Sequence, residues 1–488
     1  MKKYTVVFVL LLLVHYSFSQ KQSNVWYFGS DGAGLDFNSC NPTVLTNGWN
    51  DMQNAMFEGS TTICDANGQM LFYSNGTSVF NANHVYMQNG NAVLGQHTNT
   101  MSQNIIIPFP GSTSLYYLFS PQYQTIGSGS LMYSVIDMTL DNGLGGVTSF
   151  GNILRDTLFK RSSEKLTAVK HVNGIDVWLI GHDYYSNKLF SYLITSIGID
   201  STAIETNIGP IITDPINQSH FDAVGEMKVS PDGSKIGFTS NETGVTAVFN
   251  FNTSTGVVSN PITLSLYNGG IRTSGYGVSF SPDNLKFYVT AVKLDSSGHR
   301  RVNLHQFDLS VWDSISINNS RQIIFDSLVG DKLYSLKLGP DKKMYVAKST
   351  GASYLGVINY PNILGTACNY VHNGIYLNGL KTTWGLNNSL EMFDVCTTTD
   401  AKQNNSISNQ IKIYPNPFYQ YASLTFNNPT KLGCVLYVYD TYGKLVFTHT
   451  NIIDDTFVID RNNLDNGLYF IVIRSENHII ATSKVVVE

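Results

Sequence analysis

The 488 residues contain no GxSxG elbow, HExxH pair, P-loop, GxGxxG turn or EF-hand pattern. The side chains that could do chemistry are polar ones standing between apolar strand patterns. They are Glu58, His97 and Gln103, Glu164 and Lys165, His220 and Glu226, Arg272 and Tyr276, Asp331 and Lys332, and Lys381 and Trp384. Each group falls just ahead of the first strand of a repeated unit, where loops on a rigid scaffold would meet at a central mouth. Glu58, Glu164 and Glu226, with Arg272, Tyr276 and Trp384, could there bind a cation or a polar ligand such as a sugar. The same residues would also suit a solvated rim without a ligand. His171 and His182-Asp183 bracket a hairpin pattern and could form a base or a metal pair. Strand ends also carry such residues for hydrogen bonding alone, and the glycine-rich Asp31 to Asp36 stretch reads as a turn. Trp312-Asp313 lacks the Gly-His partner of a WD repeat. No metal, cofactor or catalytic residue is assigned.

The elements that position these residues form a repeat. Six short apolar strands each run into a tight turn and then an alternating strand. The turns fall at Gly68, Gly111, Gly174, Gly233, Asn284 and Lys342. Asn-Gly and Pro-Asp-Gly at such sites are hairpin chemistry, because Pro presets φ and Gly or Asn accepts a positive one. A third strand follows in most units (131–137, 189–193, 247–251, 304–308, 355–359), and a fourth is visible at 257–266 and 321–326. Four strands per unit, recurring about every 55 residues, is the composition of a propeller blade. A seventh unit can be assembled from Val25-Trp26-Tyr27-Phe28-Gly29, Leu35-Asp36-Phe37 and Thr43-Val44-Leu45 near one end and Thr383-Trp384-Gly385-Leu386 near the other. The expectation is an all-β chain with a seven-bladed β-propeller over 21–396. Its ring would be closed by N- and C-terminal strands, which removes exposed edges.

Composition agrees. Hydrophobic residues are 42%, aromatics 12% and charged residues only 13%, against about 25% charged in ordinary soluble domains. That excludes a helical bundle and argues against disorder. With 30 Lys+Arg, 35 Asp+Glu and no basic block, nucleic acid is not an expected partner. Lys2-Lys3, the apolar run Val6 to Val14 and Ser17-Phe18-Ser19 read as a signal peptide over 1–20, so the compartment is expected to be oxidising. The five cysteines make no CxxC pair. Cys40–Cys64 and Cys368–Cys396 are candidate disulfides, although sequence does not fix connectivity.

Residues 397–410 are polar and aperiodic, a linker. Beyond them, 411–488 alternate in the manner of a small β-sandwich. This module carries Tyr414-Pro415-Asn416-Pro417, Val438-Tyr439-Asp440 with Gly443-Lys444-Leu445-Val446, Leu464 with Gly467-Leu468-Tyr469, and Lys484-Val485-Val486. In these it resembles the type A C-terminal sorting domain of the type IX (Por) secretion system of Bacteroidetes-type bacteria. The resemblance implies export to the cell surface on the outer membrane and recognition by the type IX secretion machinery. It also implies removal of the module with attachment to surface lipopolysaccharide. Trp26-Tyr27-Phe28-Gly29, Lys165 to His171 and Leu355 to Asn359 resemble the uncharacterised WD-like or lactonase-like propellers of surface proteins in the same bacteria. The expected function is therefore a secreted, surface-attached binding or adhesion protein for a glycan or protein ligand. The alternative is a lactonase or glycan hydrolase acting at the channel mouth.

Overall fold

The computed structural model describes residues 21–39, 41–50, 56, 58–91, 93, 103–121, 129–155, 162–212, 220–267, 273–294, 299–328, 332–349, 351–390, 411–426, 428, 433–441, 444–461, 464–475 and 478–488. The expected leader and linker lie outside them, as do His97, Arg272, Asp331, Gly443 and both Cys40 and Cys396 of the candidate disulfides. The chain divides into two compact units, Met1–Thr397 and Thr398–Glu488, and both are all-β.

Among the described residues the first unit holds seven antiparallel sheets that follow one another along the chain. Sheet 1 is built from Val25–Phe28, Ala33–Asp36 and Thr43–Leu45, and sheet 2 from Thr61–Cys64, Met70–Ser74 and Val79–Asn81. Sheets 3 to 7 begin at Ile105–Pro108, Ser162–Lys170, Met227–Val229, Thr273–Phe280 and Leu333–Leu338, and each has four or five strands. All six turn positions read from the sequence have positive φ, from 63° at Asn284 to 87° at Gly68. The hairpin chemistry therefore sets the first-to-second strand connection in sheets 2 to 7.

Burial grades along each sheet. First strands are buried on both faces, as in Thr61–Cys64 and Leu333–Leu338, whereas last strands such as Gln322–Ser327 and Tyr370–Tyr376 are largely exposed. From sheet 2 to sheet 7 the first strand of each sheet contacts the first strand of the next, a propeller-like arrangement. Hydroxyls stitch neighbours together: Ile106 N donates to Thr61 Oγ1 at 3.1 Å and Thr290 Oγ1 donates to Tyr334 O at 2.7 Å.

Residues 381–390 pass through the middle of these first strands. Lys381 O abuts Gly29, and Leu390 O accepts from Ser23 Oγ at 3.2 Å, so the segment runs opposite in direction to residues 23–29 of sheet 1. Parallel bridges join Asn387 to Ser60 and Ser389 to Ile106. A Cβ on Gly385 would sit 1.8 Å from Glu58 O, so only glycine permits that backbone approach.

The second unit has two antiparallel sheets, one of Lys412–Tyr414, Tyr421–Thr425 and Thr456–Asp460. The other comprises Leu445–Ile452, Cys434–Tyr439, Gly467–Ser475 and His478–Val487. Alternate residues of both (Ala422, Leu424, Leu436, Val438, Ile459, Ile471, Val485) fill one core.

Candidate functional site

The predicted site residues are the first-strand residues and the loops entering them, so the inter-sheet packing decides their environment. The structure brings Glu58, Glu164, Glu226 and Tyr276 into one buried electrostatic neighbourhood, with the three carboxyls and Tyr334 all acting on the Tyr276 phenol. The three carboxylates nevertheless differ sharply.

Glu226 is fully engaged. Its Oε1 accepts from Gln103 Nε2 at 3.0 Å and from Ser335 Oγ, and its Oε2 accepts from the amides of Val278 (3.1 Å) and Leu336 (3.2 Å). Lys228 Nζ lies 3.8 Å from Oε1 and also donates to Gln103 Oε1 and Asn388 Oδ1. One carboxylate thus ties sheets 5, 6 and 7 to the approach to sheet 3 and to the central segment. Asn388 adds bonds from Nδ2 to Asn104 O (3.2 Å) and Leu166 O (3.3 Å), and Lys337 Nζ donates to Ser389 Oγ at 3.1 Å. Buried charges persist when their hydrogen-bond sites are filled in this way.

Lys165 is satisfied by backbone. Its Nζ donates to the carbonyls of Asp222, Ala223 and Val224 at 3.0, 3.1 and 3.1 Å. Burial pushes its pKa down to about 7, while Asp222 and Glu164 push it up. Three carbonyls ask for three N–H donors, which only the ammonium supplies.

Glu58 and Glu164 are the opposite case. They are 2% and 1% exposed, yet both oxygens of Glu58 and Oε1 of Glu164 have no protein partner. Burial and then Glu164 hold the Glu58 carboxyl well above the usual carboxylate range. Burial raises Glu164 to about 8, with Lys165 opposing. Ser60 Oγ, the Asn104 side-chain amide and Asn387 Nδ2 are likewise buried and unpartnered, and buried groups of this kind take ordered water or a ligand.

Tyr276 and Trp384 lead out of this polar centre. Trp384 stacks on Tyr334 with ring centroids 4.8 Å apart and planes 6° apart, and Tyr276 meets both rings edge-on at 5.0 and 6.1 Å. The three rings line a cavity of about 290 Å³ with Lys293, Arg300 and Lys332. Ligand sites combine such an apolar, aromatic wall with a few polar groups. Sequence reasoning did not select Tyr334, Arg300 or Lys293. Their signal was weak: Tyr334 and Lys293 lie inside strand patterns, and Arg300-Arg301 is only a dibasic pair in a chain poor in charge.

Of the other residues considered, His182 Nδ1 is bonded to Asp183 O, and Asp183 is held by Arg155 through contacts of 2.6 and 2.7 Å. His171 Nδ1 accepts from Asn173 N within its own turn. Asp31 accepts from Lys381 N at 2.8 Å. Asp313 caps the helix Ser314–Asn319 through Ser316 N at 2.8 Å, which is the role of the Trp-Asp dipeptide. Among the described residues no group of three or more His, Cys, Asp or Glu is arranged to hold a metal ion.

In the second unit the motif residues are structural ties. Asn416 Nδ2 donates to Lys484 O at 3.1 Å, and its Oδ1 accepts from Val486 N at 2.8 Å, seating the last strand. Asp440 closes its turn by accepting from Lys444 N, and Tyr469 Oη donates to Asp465 O at 2.9 Å. Tyr414 is 82% exposed.

Residues 412–488 match the secretion system C-terminal sorting domain family. That domain marks the chain for secretion, for cell-surface attachment through the type IX system and for interaction with its secretion machinery. No curated protein matches the chain. Among solved structures, the periplasmic gluconolactonase of Pseudomonas aeruginosa is 12% identical with a TM-score of 0.40, over 76% of this chain and 97% of that one. A putative 6-phosphogluconolactonase of Bacteroides uniformis is 9% identical with a TM-score of 0.38, over 72% and 97%. The hydrazine synthase of Kuenenia stuttgartiensis is 14% identical with a TM-score of 0.36, over 70% and 96%.

Proposed function

We propose that the chain is a surface-displayed binding protein. In this reading its first unit is a seven-bladed propeller closed by residues 383–390, and it takes a glycan in the aromatic cavity. Seven sheets with inward-buried first strands, and a central segment antiparallel to sheet 1, support the ring. The observation that carries the binding function is the cavity of about 290 Å³ walled by Tyr276, Tyr334 and Trp384. Those rings offer flat apolar faces to a sugar, and the polar groups around them can fix its hydroxyls. After export the sorting domain is removed and the protein is anchored on surface lipopolysaccharide.

A glycan array probed with the intact chain, sorting domain included, tests the binding reading. A hit should be lost in Trp384→Ala and in Leu294→Trp. The second substitution fills the cavity from the end of the second strand of sheet 6 and leaves the central segment intact. A hit that survives both, or no retained glycan, overturns the reading.

A second reading, a lactonase or glycan hydrolase, is favoured by one observation. Glu58, unpartnered at both oxygens, and Glu164, unpartnered at Oε1, have raised pKa values at the centre of the first strands, and such groups recur in acid catalysis. Turnover of a lactone or glycan that Glu58→Gln abolishes would favour it over simple binding.

A further inference from the structure

We infer that the cavity takes a saccharide unit bearing a negative charge, a carboxylate or a sulfate, seated between the aromatic wall and the two rim cations Arg300 and Lys332. This rests on the glycan-binding reading and names the class of glycan. The charge argument is internal to the protein. The well-buried cations of the first unit have partners: Arg155 is paired with Asp183, Lys165 with three carbonyls, Lys228 with Gln103 and Asn388, Lys286 with Asp308 and Lys348 with Asn373. Arg300 and Lys332, both lining the cavity, have no hydrogen bond or ion pair among the described residues.

The neighbouring arginine sharpens the point. Arg300 and Arg301 are the first two residues of the strand Arg300–Asp308, so their side chains leave opposite faces. Arg301 makes a two-pronged ion pair with Asp326, at 2.9 Å from Nε and 2.6 Å from Nη2. Arg300 goes to the cavity side, where burial and then the charge of Arg300 lower the pKa of Lys332. Lys293 lines the same cavity, 4.9 Å from the Tyr267 ring centre. Glu242 also lines the cavity and is the one carboxylate there among its described lining residues. Two neighbouring cations without a counter-ion among the described residues form a site for an anion, and a guanidinium matches a carboxylate or sulfate through parallel N–H donors. The aromatic wall beside them fits the apolar face of the sugar ring carrying that group.

The experiment uses matched probes with the intact chain, sorting domain included, at low salt. One pair is oligogalacturonate and its methyl ester; the other is a sulfated galactan (carrageenan) oligosaccharide and its desulfated, neutral form. The charged member of at least one pair should bind tenfold or more tighter, and raising NaCl toward 0.5 M should shrink the difference. The pair that shows the preference identifies carboxylate or sulfate as the recognised group. The double substitution Arg300→Gln, Lys332→Gln should bring the charged ligand's affinity down to that of its neutral partner. Equal binding of charged and neutral members, or a preference that survives the double substitution, overturns the anionic subsite while leaving glycan binding in place. Binding of no member, together with an empty glycan array, overturns both.

Discussion

The polar centre of the first unit and the rim of its aromatic cavity use charge in opposite ways. At the centre Glu226, Lys228, Gln103 and Asn388 lie at most 5% exposed and fill one another's hydrogen-bond sites. At the rim Arg300 and Lys332 lie side by side with no acidic partner among the described residues. A chain with only 13% charged residues therefore uses part of its charge to lock sheets together and leaves part unspent. The difference separates architecture from recognition more clearly than residue type does, since both regions contain the same acids, bases and amides.

The strongest way to break the comparison is to remove the central carboxylate. Glu226→Ala would leave two amides, a hydroxyl and a side-chain amide without their acceptor and the Lys228 ammonium without its counter-ion. Breaking such a buried ionic group by removing one member costs about 3–5 kcal/mol. Urea unfolding of the secreted protein should show that loss, or the variant should fail to accumulate. A change below about 1 kcal/mol would mean that the centre is solvated and its network ornamental.

Lys165→Met comes next. It strands three buried carbonyls, at a cost of about 3 kcal/mol. Asn388→Ala should cost about 1–3 kcal/mol by the same reasoning, because it removes bonds to Lys228, Asn104 and Leu166. If Asn388→Ala unfolds with the wild-type midpoint, the segment 383–390 does not hold the first strands together, and the closed-ring reading loses its central support.

The unpartnered carboxyls give the centre a pH signature. The folded chain keeps the Glu164 proton up to about 8, whereas an unfolded glutamate loses it near its ordinary value. Folded protein thus binds more protons across this window, and stability from this group falls as pH rises. The buried His182 and His305, whose pKa values burial lowers to about 3, slope the other way below pH 6.5. The informative quantity is therefore the difference between wild type and Glu164→Gln. That difference should decline by at least ~1 kcal/mol from pH 5 to 7, and a flat one would place the carboxyl in water.

Much of the frame was legible before the structure. Turn chemistry located the first hairpins of sheets 2 to 7 because each needs a residue that tolerates positive φ, and Gly68, Gly111, Gly174, Gly233 and Asn284 are such residues. Lys342, at φ 65°, is the exception. It was found only by its place after Gly339-Pro340-Asp341. Sheet 1 was recoverable from the short strand-like runs at Val25–Phe28, Ala33–Asp36 and Thr43–Leu45, needed to supply a seventh unit. The roles of individual polar residues were not legible. Glu58, Glu164 and Glu226 look alike in sequence, and only the neighbours brought in from other sheets leave Glu226 saturated, Glu58 unpartnered and Glu164 unpartnered at Oε1. The cavity was half visible: Tyr276, Lys332 and Trp384 stood on the expected loops, but Tyr334 and Arg300 sit within strands, where a side chain's direction depends on register.

The smallest expected effect is the most pointed, because two adjacent residues of the same type should behave differently. Arg301→Gln removes a two-pronged but partly exposed ion pair with Asp326, so it should cost up to about 1 kcal/mol and less in high salt. Arg300→Gln removes no partner among the described residues and relieves repulsion on Lys332. It should leave unfolding within about 0.5 kcal/mol of wild type, or raise stability slightly at low salt. A loss above 1 kcal/mol on Arg300→Gln would show that this guanidinium already has a counter-ion within the fold. The rim would then be architecture like the centre, and the anion would have no cation left to meet it.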